Sequence, residues 1–251
     1  MSSSGRVTWL GHATLLIEME GMRILTDPLL RDRILHLKRC SASIPPIAYS
    51  NLSAVLISHM HYDHLDPPSL RKLECDTRFI VPRGSAGLIR RQGFKRVEEV
   101  VEGETLRVGE VEVEAFRADH HGRRLGISHR ADSIGFVLRG QAQVYFAGDT
   151  DLFPEMEELS GHLDIGLVPI WGWGPNLGKG HMDPLKAAQA LTYLRPRIAV
   201  PIHWGTFYPF GINWLKPALS VELPRRFATF TRRMTPEVRV KILRPMEELT
   251  I

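Results

Sequence analysis

The chain has 251 residues, of which 43% are hydrophobic, and it carries a net charge of +4. A chain of this length can bury a large core, so a single domain over residues 1–251 is expected. The mild positive charge slightly favours anionic substrates or surfaces. Because the basic residues are not interleaved with aromatic ones, the composition gives no argument for specific nucleic-acid binding.

The N-terminus and the cysteines indicate the compartment. No apolar run approaches the ~20 residues that a membrane-spanning helix requires, and the first nine residues lack the apolar core of a signal peptide. Cys40 and Cys75 lie in unrelated contexts, which is typical of reduced thiols rather than of a disulfide framework. These features predict a cytoplasmic protein; they leave its oligomeric state open.

Short strands begin the chain, and two titratable residues lie at their ends. The strands are predicted at residues 6–10, 14–19 and 22–25. His12 lies between the first two strands; a lone histidine there is more often structural than metal-binding, so we place it beside the site rather than in it. Asp27 follows the third strand. It either accepts a hydrogen bond from a metal-binding histidine or is simply a turn residue before Pro28.

Two segments are candidates for contact with a lipid surface. Residues 29–50 mix leucines with arginines and show no clean period, and a connection of this length often forms a lid or pocket wall. A short helix packed on the rim is the interpretation favoured there. Residues 223–234 place apolar side chains at helical spacing with arginines beside them. That pattern favours an outer helix with a solvated basic face over membrane contact.

The stretch VLISHMHYDHLD, residues 55–66, carries the strongest chemical signal. Its first three residues are apolar and predict a buried strand. Four potential metal ligands follow: His59, His61, Asp63 and His64. Imidazole nitrogens and a carboxylate oxygen suit a metal such as zinc. His59 and His61 can point the same way from an extended segment, whereas Asp63 and His64 are close enough to serve a second ion.

The remaining elements alternate between helices and strands. Helices are predicted at residues 67–73, 85–92, 184–194 and 223–234. Strands are predicted at residues 78–81, 104–108, 111–116, 133–138, 143–147, 164–170, 198–202 and 238–243. Three of these strands lead to His120, Asp149 and His203.

Residues 171–180 form a predicted loop rich in glycine and tryptophan. Glycines let backbone amides approach a ligand, Trp171 and Trp173 offer flat walls, and Lys179 offers a charge, so these three side chains are candidates for a substrate pocket. The alternative is a surface loop whose tryptophans fill the core. A phosphate-binding P-loop is excluded because the Lys-Ser/Thr ending is missing.

The pattern His-x-His-x-Asp-His resembles the signature of the metallo-β-lactamase superfamily, and His120, Asp149 and His203 follow it in the expected order. The stretches WLGHATLLIE, ILTDP, GHMDP and PIHWGTF are similar to one branch in particular. That branch includes the N-acyl-phosphatidylethanolamine-hydrolysing phospholipase D and the L-ascorbate-6-phosphate lactonase. The resemblance implies an α/β fold, a four-layer αβ/βα sandwich.

The resemblance also implies a site for two metal ions, with zinc expected and manganese or iron(II) as alternatives. His59, His61 and His120 match the ligands of the first ion. Asp63, His64 and His203 match those of the second, and Asp149 matches the bridging carboxylate. Asp63 and His181 are the candidate catalytic residues; His181 would polarise the scissile group or protonate the leaving oxygen.

A metal-dependent hydrolase with a metal-bridging hydroxide is therefore expected. Two divalent ions outweigh the charge of two carboxylates and a hydroxide, which favours a small anionic substrate and above all a phosphodiester. A lactonase or esterase on a sugar phosphate is the alternative. A redox centre is disfavoured because its pattern has Glu where this chain has His61, and a non-catalytic scaffold because all seven ligand positions are filled.

Overall fold

Hydrophobic side chains alternate between the two faces of the longer strands, which gives each sheet two buried faces. Leu15 and Ile17 lie in a core between two sheets, whereas Leu16 lies on the opposite face against helices. Leu138 of the other sheet faces the same central core, and its neighbour Val137 packs outward. Because side chains alternate along an extended strand, each sheet needs a covering layer on its outer face.

The computed structural model of the protein describes residues 5–122, 124, 131–172, 177–209 and 217–251. In spatial order, the first sheet contains Glu248–Thr250, Arg6–Gly11, Thr14–Met19, Met22–Thr26, Ala54–Leu56, Phe79–Pro82 and Val97–Val100. The second contains Arg239–Val240, Ile198–Ile202, Ile165–Pro169, Gln143–Phe146, Ile134–Arg139, Val111–Arg117 and Thr105–Val108. A third, small sheet contains Phe207–Pro209, Leu37–Arg39 and Arg33–Ile34.

Helices cover the outer face of each large sheet. Pro67–Leu70 and Ala86–Arg90 place apolar side chains against the first sheet, and Pro184–Leu194 and Pro217–Met234 cover the second. Two 3-10 helices span Pro46–Tyr49 and Pro154–Leu159. The order helix, sheet, sheet, helix confirms the predicted four-layer αβ/βα sandwich. In the described part of the chain, no helix is both long and apolar enough to cross a membrane.

Strand direction brings the candidate ligands to one edge. Each large sheet is antiparallel in one half and parallel in the other. In open sheets with parallel strands, ligands bind beyond the carboxyl ends of the strands. Among the strands that end at the shared edge are Arg6–Gly11, Met22–Thr26, Ala54–Leu56, Val111–Arg117, Gln143–Phe146 and Ile198–Ile202.

Several elements differ from the sequence-based predictions. The short helix favoured for residues 29–50 is confined to the 3-10 helix Pro46–Tyr49, because Leu37–Arg39 pairs with Phe207–Pro209 and with Arg33–Ile34. The strand predicted at 238–243 shortens to Arg239–Val240. Val97–Val100, Phe207–Pro209 and Glu248–Thr250 were not predicted as strands. Short strands are stabilised by pairing with neighbours distant in sequence, which outweighs local propensity.

Replacing Leu138 by alanine tests the central core. Its side chain is fully buried between the sheets, so Leu138→Ala should lower the free energy of unfolding by about 2–5 kcal/mol. Leu35→Ala is the matched control, because Leu35 is 74% exposed and should change stability by no more than about 0.5 kcal/mol. Urea unfolding followed by circular dichroism measures both; equal losses would contradict the assigned core.

Candidate metal centre

The loops that hold the candidate ligands have unusual backbone conformations. His12, Asp27 and His203 all have positive φ angles, of 57°, 34° and 62°. A non-glycine residue in this region costs about 1–3 kcal/mol and persists only where its surroundings hold it in place. The backbone N–H of His203 donates to the carbonyl of His12 at 3.0 Å, and the N–H of His12 donates to Thr206 Oγ1 at 2.7 Å. These contacts fix two strained loops to each other.

The first cluster brings together one ligand atom each from His59, His61, His120 and Asp149, all within 4.8 Å of one another. His61 Nδ1 lies 2.9 Å from His59 Nε2 and 3.2 Å from His120 Nε2. Ring nitrogens of three histidines therefore converge on a single point. The structure thus brings together residues that were predicted to hold the first ion.

The second cluster consists of His12, Asp63, His64 and His203, again with ligand atoms within 4.8 Å. His64 Nε2 lies 3.2 Å from His203 Nε2. His12 joins this group although it was predicted to lie outside the ligand set, because its Nε2 is 3.0 Å from Asp63 Oδ2. A ring that donates to a ligand carboxylate orients it, as His12 does here.

Asp149 lies between the two clusters. One carboxylate oxygen is 3.3 Å from His203 Nε2 and the other 3.4 Å from His64 Nε2, while the residue also belongs to the first cluster. Its Oδ1 is buried and makes no hydrogen bond within the described residues. A buried carboxylate oxygen without a hydrogen bond is costly unless it binds a cation. Together with imidazole nitrogens, this donor set fits zinc or a similar divalent ion.

Asp27 lies behind both clusters and orients a histidine in each. Its Oδ2 accepts from His64 Nδ1 at 2.7 Å, and its carboxylate accepts from the N–H and the hydroxyl of Ser58 at 2.7 and 2.6 Å. Since the Ser58 hydroxyl donates its one hydrogen bond to Asp27, its oxygen accepts from His59 Nδ1 at 2.9 Å. Both rings are therefore left with Nε2 facing the site. The sequence signal for Asp27 was its place after a strand; Ser58 was missed.

His120 and His181 are held on the opposite side. His120 Nδ1 donates to the carbonyl of Gly180 at 2.7 Å, which leaves its Nε2 toward the first cluster. His181, the next residue, places its Nε2 3.6 Å from Asp149 Oδ2, and its side chain is 21% exposed. His181 is thus near the carboxylate between the clusters and still accessible from solvent.

The ligand loop itself is held by a cation that the sequence analysis missed. Arg124 Nη1 donates to the carbonyls of Met60 and Leu65 at 3.0 and 2.6 Å, and its guanidinium lies 3.9 Å from the ring centre of Tyr62. These contacts hold the loop on either side of residues 61–64, which include Asp63. No local pattern indicates such a contact, because Arg124 is far away in sequence.

The predicted pocket residues have different outcomes. The ring of Trp171 lies 5.8 Å from that of Tyr208 and packs against the core beside the second sheet; its place in a substrate pocket stays a prediction. Lys179 is exposed beside Gly180, and Trp173 lies outside the described residues. A cavity of about 680 Å³ adjoins His120 and is lined in part by His121 and Arg117.

The electrostatics of the site favour neutral imidazoles in the first cluster. Burial lowers the pKa of His59 well below its usual value and lowers that of His61 as well. Burial also lowers the pKa of His120 to about 4 and, with the charge of His203, that of His12 to about 3. Because a metal ligand must present a neutral nitrogen, the three rings of the first cluster are in the form that binds metal.

The pKa of His64 shifts in the opposite direction. Burial alone would lower its pKa, but Asp149, Asp63 and Asp27 surround the ring and raise the pKa well above the usual value. The pKa of Asp63 and that of Asp149 lie well below their usual range, because neighbouring histidines offset the burial of each carboxylate. Without metal, one imidazolium therefore balances part of the carboxylate charge.

The sequence profile described as "Beta-lactamase superfamily domain" matches residues 22–204 of this chain. The chain therefore belongs to the beta-lactamase superfamily, which confirms the resemblance drawn from its motifs. With this fold and its candidate metal-binding clusters, the protein is a metal-dependent hydrolase.

Two sequence relatives and one solved structure illustrate the similarity. N-acyl-phosphatidylethanolamine-hydrolyzing phospholipase D 1 of Caenorhabditis elegans is 31% identical over 239 residues, which cover 84% of this chain and 67% of the relative. A metal-dependent hydrolase of Caldivirga maquilingensis is 30% identical over 256 residues, 98% of both chains. The structure of a metallo hydrolase from Ignicoccus hospitalis superimposes with a TM-score of 0.73 at 21% identity over 99% of both chains.

Removing the Ser58 hydroxyl should weaken metal binding. Ser58→Ala deletes the link between Asp27 and His59, and loss of such a partner typically costs about 10–100-fold in metal affinity. Zinc affinity can be measured by competition with a chromophoric chelator. Ser85→Ala is the matched control, because Ser85 is equally buried and its hydroxyl has no hydrogen-bond partner in the described structure. Equal zinc affinities of the two variants would contradict the role of Ser58.

Zinc binding should release protons, since a bound His64 must be neutral and its raised pKa keeps it protonated at pH 7 without metal. Zinc affinity should therefore fall as pH falls, by about tenfold per pH unit for each proton released. Calorimetric titrations at pH 7 in two buffers of different ionisation enthalpy measure the proton count. His162→Ala, which removes an exposed histidine, should leave it unchanged. Zinc binding without proton release would refute the assignment.

Proposed function

We propose that the protein is a dinuclear zinc hydrolase that acts on an anionic phosphodiester. The observation that carries the proposal is the position of Asp149, whose two oxygens lie 3.3 and 3.4 Å from His203 and His64 while the residue also groups with His59 and His61. One carboxylate within reach of both clusters is the arrangement expected of a bridge between two ions.

Seven side chains would hold the two ions. His59, His61 and His120 would bind the first, Asp63, His64 and His203 the second, and Asp149 both. When bound, two divalent ions supply a nucleophile by lowering the pKa of water and stabilise charge on the attacking and leaving oxygens. His12 acts on Asp63 from behind: its neutral ring donates from Nε2 and fixes the orientation of that carboxylate.

The charge of the site selects the substrate class. Two divalent ions outweigh the charges of Asp63 and Asp149, so the loaded site stays positive and favours an anionic substrate. Lys179, exposed next to the site, would add to this positive charge.

His181 would serve the leaving group. Its Nε2 faces Asp149 Oδ2 at 3.6 Å and its side chain stays partly exposed, so it can receive a proton from solvent and pass it to the oxygen that departs. Imidazole is suited to this because it can both accept and donate a proton. Asp63, oriented by its hydrogen bond from His12, would help to hold the second ion.

The worm relative supports the choice of bond. Its name states that it is a phospholipase D that hydrolyses N-acyl-phosphatidylethanolamine, and a phospholipase D cleaves a phosphodiester. Trp171, next to the ring of Tyr208, would provide an apolar wall for the organic part of such a substrate.

The zinc-loaded protein should hydrolyse bis-(p-nitrophenyl) phosphate. His59→Ala should lower kcat/KM by more than about 100-fold, beyond the loss expected for a partner outside the coordination sphere. His162→Ala is the matched control, since it removes an exposed histidine, and it should retain full activity. Release of p-nitrophenolate measures both.

A panel of lactones and sugar-phosphate esters, assayed beside the phosphodiester, separates the two hydrolytic reactions. Turnover of lactones alone would replace phosphodiester hydrolysis by the lactonase or esterase alternative. No turnover of any substrate, with His59→Ala indistinguishable from the wild type, would refute the proposal.

A further inference from the structure

The orientation of His120 depends on a carbonyl with a tightly constrained backbone. Gly180 accepts from His120 Nδ1 at 2.7 Å and has a φ of +84°. A Cβ atom at this position would lie 2.9 Å from His120 Nδ1, so only glycine fits. Because Gly180 has no side chain, the position of its carbonyl must be fixed by contacts to its backbone.

Asp151 makes such a contact. Its Oδ2 accepts from the backbone N–H of Gly180 at 3.3 Å, and its own N–H donates to the carbonyl of Asp119 at 3.0 Å. The residue therefore touches the loop that carries His120 and the loop that carries His181. It follows Asp149 by two positions, so one short segment holds the candidate bridging carboxylate and both of these loops.

Lys186 completes the arrangement. Its Nζ lies 2.7 and 2.9 Å from the two oxygens of Asp151, and it projects from the first turn of the helix Pro184–Leu194. That helix begins directly after Asp183, which accepts from the N–H groups of Leu185 and Lys186. The ion pair thus ties Asp151 to a rigid element packed against the second sheet.

We propose that Asp151, paired with Lys186, is a positioning residue that sets the place of Gly180 and thereby orients both His120 and His181. The inference rests on the proposed function and assigns to this site a support on the side opposite Asp27. Asp27 orients His59 and His64 from the first sheet, whereas Asp151 orients His120 from the second. Asp151 acts through its contacts with the backbones of Gly180 and Asp119.

Asp151→Asn removes the charge that holds Lys186 while keeping nearly the same shape. It should weaken the binding of one of the two zinc ions by about tenfold, the lower end of the range for partners of metal ligands, and leave the other ion within about twofold. With bis-(p-nitrophenyl) phosphate, kcat should fall about tenfold and KM should stay nearly constant. Chelator competition and the visible spectrum of the cobalt-substituted protein report on the metal sites independently of turnover.

Asp164→Asn is the matched control. Like Asp151, Asp164 pairs with a cationic side chain and accepts a hydrogen bond from a backbone N–H. Its partners are Arg197 at 2.7 Å and the N–H of Gln143 at 2.9 Å. It lies at the opposite edge of the same sheet, before the strand Ile165–Pro169, so its substitution should change neither zinc affinity nor kcat. An equal loss in both variants would show a general structural effect and overturn the proposal.

Three further variants test whether Asp151 acts through its ion pair with Lys186 and on His181. Lys186→Met should lower zinc affinity and kcat as Asp151→Asn does. Lys186→Arg keeps the cation and should retain most of the zinc affinity and kcat of the wild type. In a His181→Ala background assayed at saturating zinc, Asp151→Asn should lower kcat by less than about twofold more, because one of the two groups it positions is gone, whereas the loss of zinc affinity through His120 should remain.

Two results distinguish this inference from the proposed function. A wild type that binds two zinc ions, with Asp151→Asn equal to it in zinc affinity and kcat, would overturn the role of Asp151 alone. A wild type that binds no zinc would overturn the proposed function and the role of Asp151 with it.

Discussion

Burying histidines and carboxylates together costs free energy unless each is paired or binds an ion, and the structure around the two clusters is organised by that constraint. Desolvation lowers the pKa of His59 and that of His120, so these rings are neutral. The carboxylates instead keep His64 protonated while no metal is bound. A divalent ion in each cluster would replace that proton and satisfy the free oxygen of Asp149.

The supports of the clusters come from both halves of the sandwich. Asp27 follows a strand of the first sheet and orients two rings, one directly and one through Ser58. On the side of the second sheet, the carbonyl of Gly180 orients His120. Two sheets that pack face to face through one apolar core hold these supports at a fixed separation, which a metal pair needs if one carboxylate is to reach both ions. Core packing such as that of Leu138 is therefore part of what keeps the site in shape.

The same arrangement explains where strain is tolerated. His12 and His203 adopt positive φ angles, yet their backbones are hydrogen-bonded to each other. Strained residues of this kind cluster at functional sites because surrounding contacts outweigh the local cost. His12 follows a strand of the first sheet and His203 follows a strand of the second. Their positive φ angles bring the two imidazoles to the same site.

Local sequence was enough to predict the strands that end at the site and the first four candidate ligands, because His-x-His-x-Asp-His is a compact pattern, and its resemblance to a known superfamily added His120, Asp149 and His203. It also led to the four-layer sandwich, through resemblance rather than periodicity. The tertiary structure alone decided that His12 approaches Asp63, that Ser58 joins Asp27 to His59, and that Arg33–Ile34 and Leu37–Arg39 pair as strands. Each of these is a contact between groups far apart in the chain, or a hydrogen bond whose direction depends on three-dimensional proximity, and a linear pattern contains no distances between such groups.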